Sequence, residues 1–257
     1  MKRVVVWFSC GAASACAAKL AIERFGGHFP VKVVYCDTSI NEHPDNKRFA
    51  QDVEKWLGTE IERISSKMYS SVDEVIAKNS YFAGVRGARC TTELKKKPRH
   101  EYQEPGDLHI WGYTVEEPER IIRFKENNPE TKSYFILAGN GLTKDDCKNM
   151  LLNAGIALPV MYGLGFNNNN CIGCGKAESV EYWQHIRKYF PEIFAKRCQQ
   201  SRDIGWRPLR LGRKRTRSYL DELPIEETGE PITEDISCGP HCGVEGLAGD
   251  AQGEGRK

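Results

Sequence analysis

Runs of apolar residues divide most of the chain into alternating strands and helices. Val4 to Phe8 (VVVWF) is an unbroken apolar run that stops at Ser9. A short run of this kind, bounded by small and polar residues, predicts a strand buried on both faces. Cys10, Gly11, Ala12, Ala13 and Ser14 follow, and then ACAAKLAIERF, rich in helix formers. Val31 to Cys36 (VKVVYC) reads as a second buried strand and ends at Asp37-Thr38. Pro44 opens a helix over Asp45 to Leu57, with Phe49, Val53, Trp56 and Leu57 at helical spacing, and Gly58 stops it. Ile61 to Ile64 is a third strand. This βαβαβ order implies a parallel sheet with right-handed crossovers.

The pattern continues beyond that unit. Ser71 is placed to cap a helix over Val72 to Lys78. Leu108 to Trp111 reads as a strand, EEPERIIRF as a helix, and Tyr134 to Leu137 as a further strand. Thr143 is placed to cap Lys144 to Asn153, with Asp145 and Asp146 in the first turn, where the helix dipole favours them. MYGLGFNNNNCIGCGK reads as loop. Glu178 to Tyr189 is amphipathic, with Tyr182, Ile186 and Tyr189 on one face, and a last helix covers Glu192 to Gln200. After Ser201 the periodicity lapses. The expected fold is α/β: a mostly parallel five-stranded sheet with helices on both faces, plus a cysteine-bearing C-terminal region.

Composition adds limits. With 257 residues and 40% hydrophobic content, the chain can bury one sizeable core. No apolar run approaches membrane-spanning length, and MKRVVVWF passes straight into a strand, so a cytoplasmic chain without a membrane partner is expected. The net charge is only +2, yet Arg202 to Arg217 (RDIGWRPLRLGRKRTR) is strongly basic. That stretch is either a solvated face, a clamp for phosphate or sulfate oxygens, or a nucleic-acid contact with Trp206 and Tyr219 available for base stacking.

The chemistry sits at strand ends and cysteines. The turn from Ser9 to Ser14 joins a strand to a helix N-terminus, so free backbone N–H groups and the positive dipole end converge beyond the strand. Small side chains let a phosphate or sulfate approach, and the hydroxyls of Ser9 and Ser14 would add donors. Asp37, also at a strand end, can hold Mg²⁺ or a ribose hydroxyl, or simply cap the next turn. Ten cysteines in a reducing compartment suggest metal or redox chemistry. Cys10, Cys16, Cys36, Cys147 and Cys198 sit in apolar or helical patterns and read as small buried hydrophobes. Cys90, Cys171, Cys174, Cys238 and Cys242 sit in polar, glycine-containing contexts. Cys171-Ile172-Gly173-Cys174 suits a metal centre, a redox dithiol or a zinc half-site, with Cys90 a third ligand and Cys238 or Cys242 a fourth. In Cys238-Gly239-Pro240-His241-Cys242, a cysteine beside His241 is either a nucleophile or another ligand.

Taken together, these segments resemble the phosphoadenosine-phosphosulfate (PAPS) reductase family of the adenine-nucleotide alpha-hydrolase, or ATP pyrophosphatase (PP-loop), superfamily, over roughly residues 4–242. SCGAAS looks like its modified pyrophosphate loop, and VVYCDTSINEHPDNKRFAQDVEKWLG like its second strand and helix. ARCTTELKKKP is similar to its cysteine–basic segment, and GYTVEEPER to its Gly–hydrophobic–Glu–Arg stretch, which brings in Gly112 and Arg120. LTKDDCKNMLLNAGIALPVMYGLGFNNNNCIGC resembles its Pro–Tyr turn, here Pro159 and Tyr162, and its CxxC, and CGPH resembles its terminal cysteine motif.

The resemblance implies that Ser9, Cys10, Gly11, Ala12, Ala13, Ser14, Asp37, Thr38, Gly112 and Arg120 bind an adenine nucleotide, PAPS or ATP with Mg²⁺. It implies that Cys238, with His241, carries out reduction of a sulfonucleotide to sulfite through a thiosulfonate. A [4Fe-4S] cluster, or zinc, would be held by Cys90, Cys171, Cys174 and Cys242. It also implies a thioredoxin-like thiol donor and a homodimer. Family members with clusters carry adjacent cysteines where this chain has Arg89-Cys90-Thr91, and Ser237 replaces the usual Glu. Those departures leave open two alternatives: an iron–sulfur ATP pyrophosphatase that adenylates and thiolates a nucleic acid or other acceptor, and a non-catalytic nucleotide- or nucleic-acid-binding module with structural zinc. The expected division is a nucleotide-binding domain with a CxxC loop over 1–200, a basic cysteine-bearing segment over 201–245, and a disordered tail over 246–257.

Overall fold

The computed structural model describes residues 2–84, 87–212 and 215–236. Five strands form one parallel sheet: β1 (Val4–Phe8), β2 (Val31–Cys36), β3 (Ile61–Ile64), β4 (Leu108–Ile110) and β5 (Lys132–Tyr134), in the order β3-β2-β1-β4-β5. The chain winds outward from β1 to β3, then returns to pair β4 against the other side of β1. The strand order therefore reverses between β1 and β4, which is where ligands bind in open α/β sheets.

Alternate residues of β1 enter opposite cores. Val4, Val6 and Phe8 pack with helix α1 (Ala12–Phe25), helix α2 (Asn46–Leu57) and Cys147 and Leu151 of helix α5 (Lys144–Asn153). Val5 and Trp7 pack with Trp111, Tyr113 and Phe124 on the other face, where helix α4 (Pro118–Asn127) lies. All five positions are buried, as an uninterrupted apolar strand requires. Cys10, Cys16, Cys36 and Cys147 are buried in these cores, as small hydrophobes would be; Cys198 is half-buried.

A third apolar cluster joins helix α3 (Val72–Asn79), helix α6 (Val180–Tyr189), helix α7 (Pro191–Asp203) and residues 232–236 around Cys90, Cys171 and Cys174. Ser71 caps α3 by accepting from the Glu74 amide, and Thr143 and Asp146 form a reciprocal capping box on α5. Between residues 89 and 102 the helix carries a π turn over Thr92–Lys96, in which the Lys97 amide donates to the Thr92 carbonyl. Pro98, next along, has no amide to donate to Leu94, so regular α-helical bonding cannot run through this point.

Three expectations are corrected. The strand expected over Tyr134 to Leu137 is instead β5, ending at Tyr134, followed by a single helical turn over Ile136–Gly139. Ile136 and Leu137 are buried against α1, and a short apolar run does not distinguish strand from buried helix. Tyr189 is exposed rather than on the buried face with Tyr182 and Ile186. The stretch after Ser201 contains a hairpin, Leu209–Leu211 with Thr216–Ser218. Cys238, His241, Cys242 and the 246–257 tail lie outside the described residues. No helix among the described residues is long and apolar enough to cross a membrane.

Candidate functional site

The carboxyl ends of β1 and β4 open into a solvent-facing cleft of about 110 Å³. Its floor is the Ser9–Ser14 turn. Gly11 stands at the N-cap of α1 with no side-chain cap, and the first turn holds no acidic residue. The Ala12 amide donates to the Tyr162 hydroxyl at 3.3 Å, but the amides of Gly11, Ala13 and Ser14 donate to no other described group. The N-terminus of α5 makes the contrast, with its donors taken up by Thr143 and Asp146. An uncapped helix N-terminus facing a cleft leaves backbone donors that an anion could engage.

The serine hydroxyls brace this turn. Ser14 Oγ accepts from the Ser9 amide (3.0 Å) and donates to the Gly11 carbonyl (2.9 Å), while Ser9 Oγ donates to Ser14 Oγ (3.2 Å). They are spent within the turn and do not add donors for a ligand. Gly112, at the end of β4, sits directly against it: a Cβ there would lie 3.0 Å from both the amide nitrogen and Cα of Ser14. Only glycine lets the two strand ends approach this closely.

Cations line the walls. Arg120 projects from α4 and Lys144 and Lys148 from one face of α5. Each has an acidic neighbour: Arg120 pairs with Glu117, Lys144 Nζ lies 2.7 Å from Asp235, and Lys148 Nζ lies 2.8 Å from Asp145. Burial alone would raise the Asp235 carboxyl, but Lys144, Asn168 and Arg120 hold it below its ordinary value. The Tyr162 hydroxyl is pushed up to about 12, chiefly by burial. Trp7 also lines the cleft, and its Nε1 donates to His109 Nδ1, whose pKa burial depresses to about 4.

Of the residues expected to bind nucleotide, Ser9, Gly11, Ala12, Ala13, Ser14, Gly112 and Arg120 line this one cleft. The Cys10 side chain turns away into a neighbouring pocket with Tyr35 and Asn46. Asp37 and Thr38 are not among the lining residues: Asp37 accepts from the Ser39 amide as a turn cap, and Thr38 donates to buried Glu42 at 2.6 Å. Sequence reasoning missed Lys144, Lys148, Tyr162 and Asn167 to Asn170. The two lysines lay four residues apart after a capping box, a legible face with no partner to aim it. The asparagine run hid a division of labour. Asn167, Asn168 and Asn170 bond to residues 232, 235 and 236, holding that segment at the cleft mouth, whereas Asn169 bonds to the Ser9–Ser14 turn.

No protein-family model and no curated protein matches the chain. Among solved structures it is similar to a phosphoadenylyl-sulfate (PAPS) reductase from Candida auris, in a phosphate complex. Identity is 13%, over 66% of this chain and 82% of that one, with a TM-score of 0.46.

The cysteine loop lies in the third cluster. Cys90, Cys171 and Cys174 are all buried there. Gly173 takes φ +66°, and its carbonyl accepts from Arg197 Nε at 3.1 Å. The Cys174 amide donates to the Tyr182 hydroxyl at 2.9 Å; burial, and then the neighbouring Cys174 and Cys171, keep that hydroxyl well above its ordinary pKa. Among the described residues no three His, Cys, Asp or Glu side chains gather as a metal-holding group. The pair spacing fits one half of such a site, and Cys242 lies outside the described residues.

The basic stretch is placed elsewhere. None of its described residues lines the cleft. Arg202 pairs with Asp221 and Glu222, and Arg210 and Arg217 both pair with Glu178. The guanidinium groups of Arg202 and Arg207 stack on Tyr219 at 3.9 and 4.5 Å, occupying the ring that base stacking would need.

Proposed function

We propose that the chain is a PAPS-reductase-like enzyme that binds an adenine nucleotide with its phosphate or sulfate end on the Ser9–Ser14 turn. The supporting observation is the uncapped N-terminus of α1, with three unengaged amides, facing a cleft that also receives Arg120, Lys144 and Lys148. Three cations from two helices, set against backbone donors, suit a ligand carrying several negative charges.

In this reading the cleft orients the sulfonate of phosphoadenylyl sulfate for in-line attack. The Cys238 thiolate attacks sulfur, the S–O bond to the phosphate breaks, and adenosine bisphosphate leaves with the bonding electrons. The enzyme then carries a Cys–S–SO₃⁻ thiosulfonate. A dithiol protein attacks the Cys238 sulfur and displaces sulfite; its second thiol resolves the mixed disulfide, so the dithiol is oxidised as sulfate sulfur is reduced. Arg120, Lys144 and Lys148 would offset the charge building on the departing phosphate. Cys171 and Cys174, with Cys90 and Cys242, would hold a thiolate-ligated metal centre that cross-links the cysteine loop; no step above is routed through it.

Calorimetry with phosphoadenylyl sulfate and with ATP, followed by a sulfite assay with reduced thioredoxin, tests the reading. Expected is tight binding of phosphoadenylyl sulfate, and sulfite release that C238S abolishes while leaving binding unchanged. Binding of ATP alone, with no sulfite, would contradict it and favour the pyrophosphatase chemistry.

A further inference from the structure

Cys10 is the strained residue of the Ser9–Ser14 turn. Its φ is +59°, the left-handed region that L residues other than glycine rarely occupy. A non-glycine residue stays there only when its surroundings hold it. Asn169 supplies that hold: its Nδ2 donates to the Cys10 carbonyl at 2.6 Å and to Asn46 Oδ1 at 2.7 Å.

The orientation of Asn169 is dictated from further away. Glu42 is buried and accepts three hydrogen bonds: from Tyr35 Oη (2.7 Å), Thr38 Oγ1 (2.6 Å) and Asn46 Nδ2 (2.7 Å). A carboxylate only accepts, so the Asn46 amide group must face Glu42 and its oxygen must face Asn169. Asn169 must then turn its own amide group toward Asn46, and the same group reaches Cys10. Its Oδ1 is left buried with no partner among the described residues. Reversing the side chain would set that oxygen against two carbonyl-type oxygens, so the orphan acceptor is the lesser penalty. Asn169 is thus arranged for the turn and not for its own hydrogen bonding.

We infer that Glu42, Asn46 and Asn169 form a hydrogen-bond relay that locks Cys10 left-handed, and that this lock sets the direction of the anion-binding amides. Asn169 is a positioning residue in this scheme. The inference rests on the proposed reading that the turn receives an oxyanion. It also reassigns Thr38: together with Tyr35 it fixes the carboxylate that orients the relay, so the second strand end acts on the first through Glu42.

The test uses the full chain with N169A, C10G and the double variant, titrated calorimetrically with phosphoadenylyl sulfate and ATP. N169A should weaken nucleotide binding roughly 5- to 30-fold, the population shift expected when the left-handed penalty is no longer offset. Glycine takes φ > 0 without that penalty, so the double variant should bind within about threefold of C10G alone. A crystal structure of N169A should show residue 10 outside the left-handed region. E42Q, which lets Asn46 reverse at constant volume, serves if N169A does not fold, and should give a smaller loss with the same glycine rescue. Wild-type affinity in N169A, a loss that C10G fails to restore, or an unchanged torsion at residue 10 would overturn the relay. If the wild type binds neither nucleotide, the reading of the site fails, while the torsion in N169A still decides the relay.

Discussion

Two tight turns of this chain are built alike and behave differently. In each, one residue is left-handed: Cys10 at φ +59° in the Ser9–Ser14 turn, Gly173 at φ +66° in the cysteine loop. In each, its carbonyl is gripped by a buried side chain from a distant segment, Asn169 in one and Arg197 in the other. The Ser9–Ser14 turn uses a residue that resists its conformation and a neutral clamp. The cysteine loop uses glycine, which has no such resistance, and a charged clamp tied to Asp73. A strained turn depends on its clamp for its shape. An unstrained turn depends on its clamp for its position in the core. The first suits amides that must point one way, and the second suits thiols that must stay buried together.

The comparison breaks most readily at Arg197. Its side chain is buried and bonds to Gly173, Asp73 and Gln200. R197A should cost about 1–3 kcal/mol, because it orphans the buried Gly173 carbonyl while the partly exposed Asp73 keeps Lys196 and Gln200, read by chemical denaturation. A cost below about 1 kcal/mol would show that the loop holds itself.

Acid should separate the two clamps next. Partial burial raises Asp73, but Arg197 and Lys196 outweigh it and hold the carboxyl at about 2, below its ordinary 3.8. A carboxylate with a depressed native pKa adds stability that is present above its unfolded pKa and is lost as pH falls through the native one. The cysteine-loop cluster should therefore weaken between about pH 4 and 2, by order 1 kcal/mol after allowing for the partial exposure of Asp73. D73N should flatten that part of the stability–pH profile, and an unchanged slope would count against the charged clamp.

The smallest effect is expected at Cys10. C10G relieves left-handed strain but removes a buried thiol from the core, two terms of about 1–2 kcal/mol each and opposite sign. Thermal unfolding should shift little. A large loss of stability would mean that the thiol packing outweighs the torsion and that the turn is less strained than its φ implies.

The sheet and its caps were legible because local rules decide them. VVVWF and VKVVYC are valine-rich runs closed by small or polar residues, which favours strands, and Ser71 and Thr143 stood where caps belong. The Ser9–Ser14 turn was legible for the same reason, since strand, small residues and helix are consecutive. The single turn at Ile136 was not, because burial against α1 decided its conformation. The partners of Thr38, Asn46 and Asn169 were also hidden. Their hydrogen bonds span up to 159 residues, and nothing in an asparagine run says which member reaches the turn. The basic stretch shows a related limit: its charge is visible in sequence, but Glu178, Asp221 and Glu222, which pair with Arg202, Arg210 and Arg217, are brought in by the fold.

A crystal structure of the chain with phosphoadenylyl sulfate tests the central claim most directly. Sulfate or phosphate oxygens should lie within hydrogen-bonding distance of the Gly11, Ala13 and Ser14 amides, with Lys144 or Lys148 on the same group. A nucleotide bound elsewhere, with those amides still facing solvent, would contradict it.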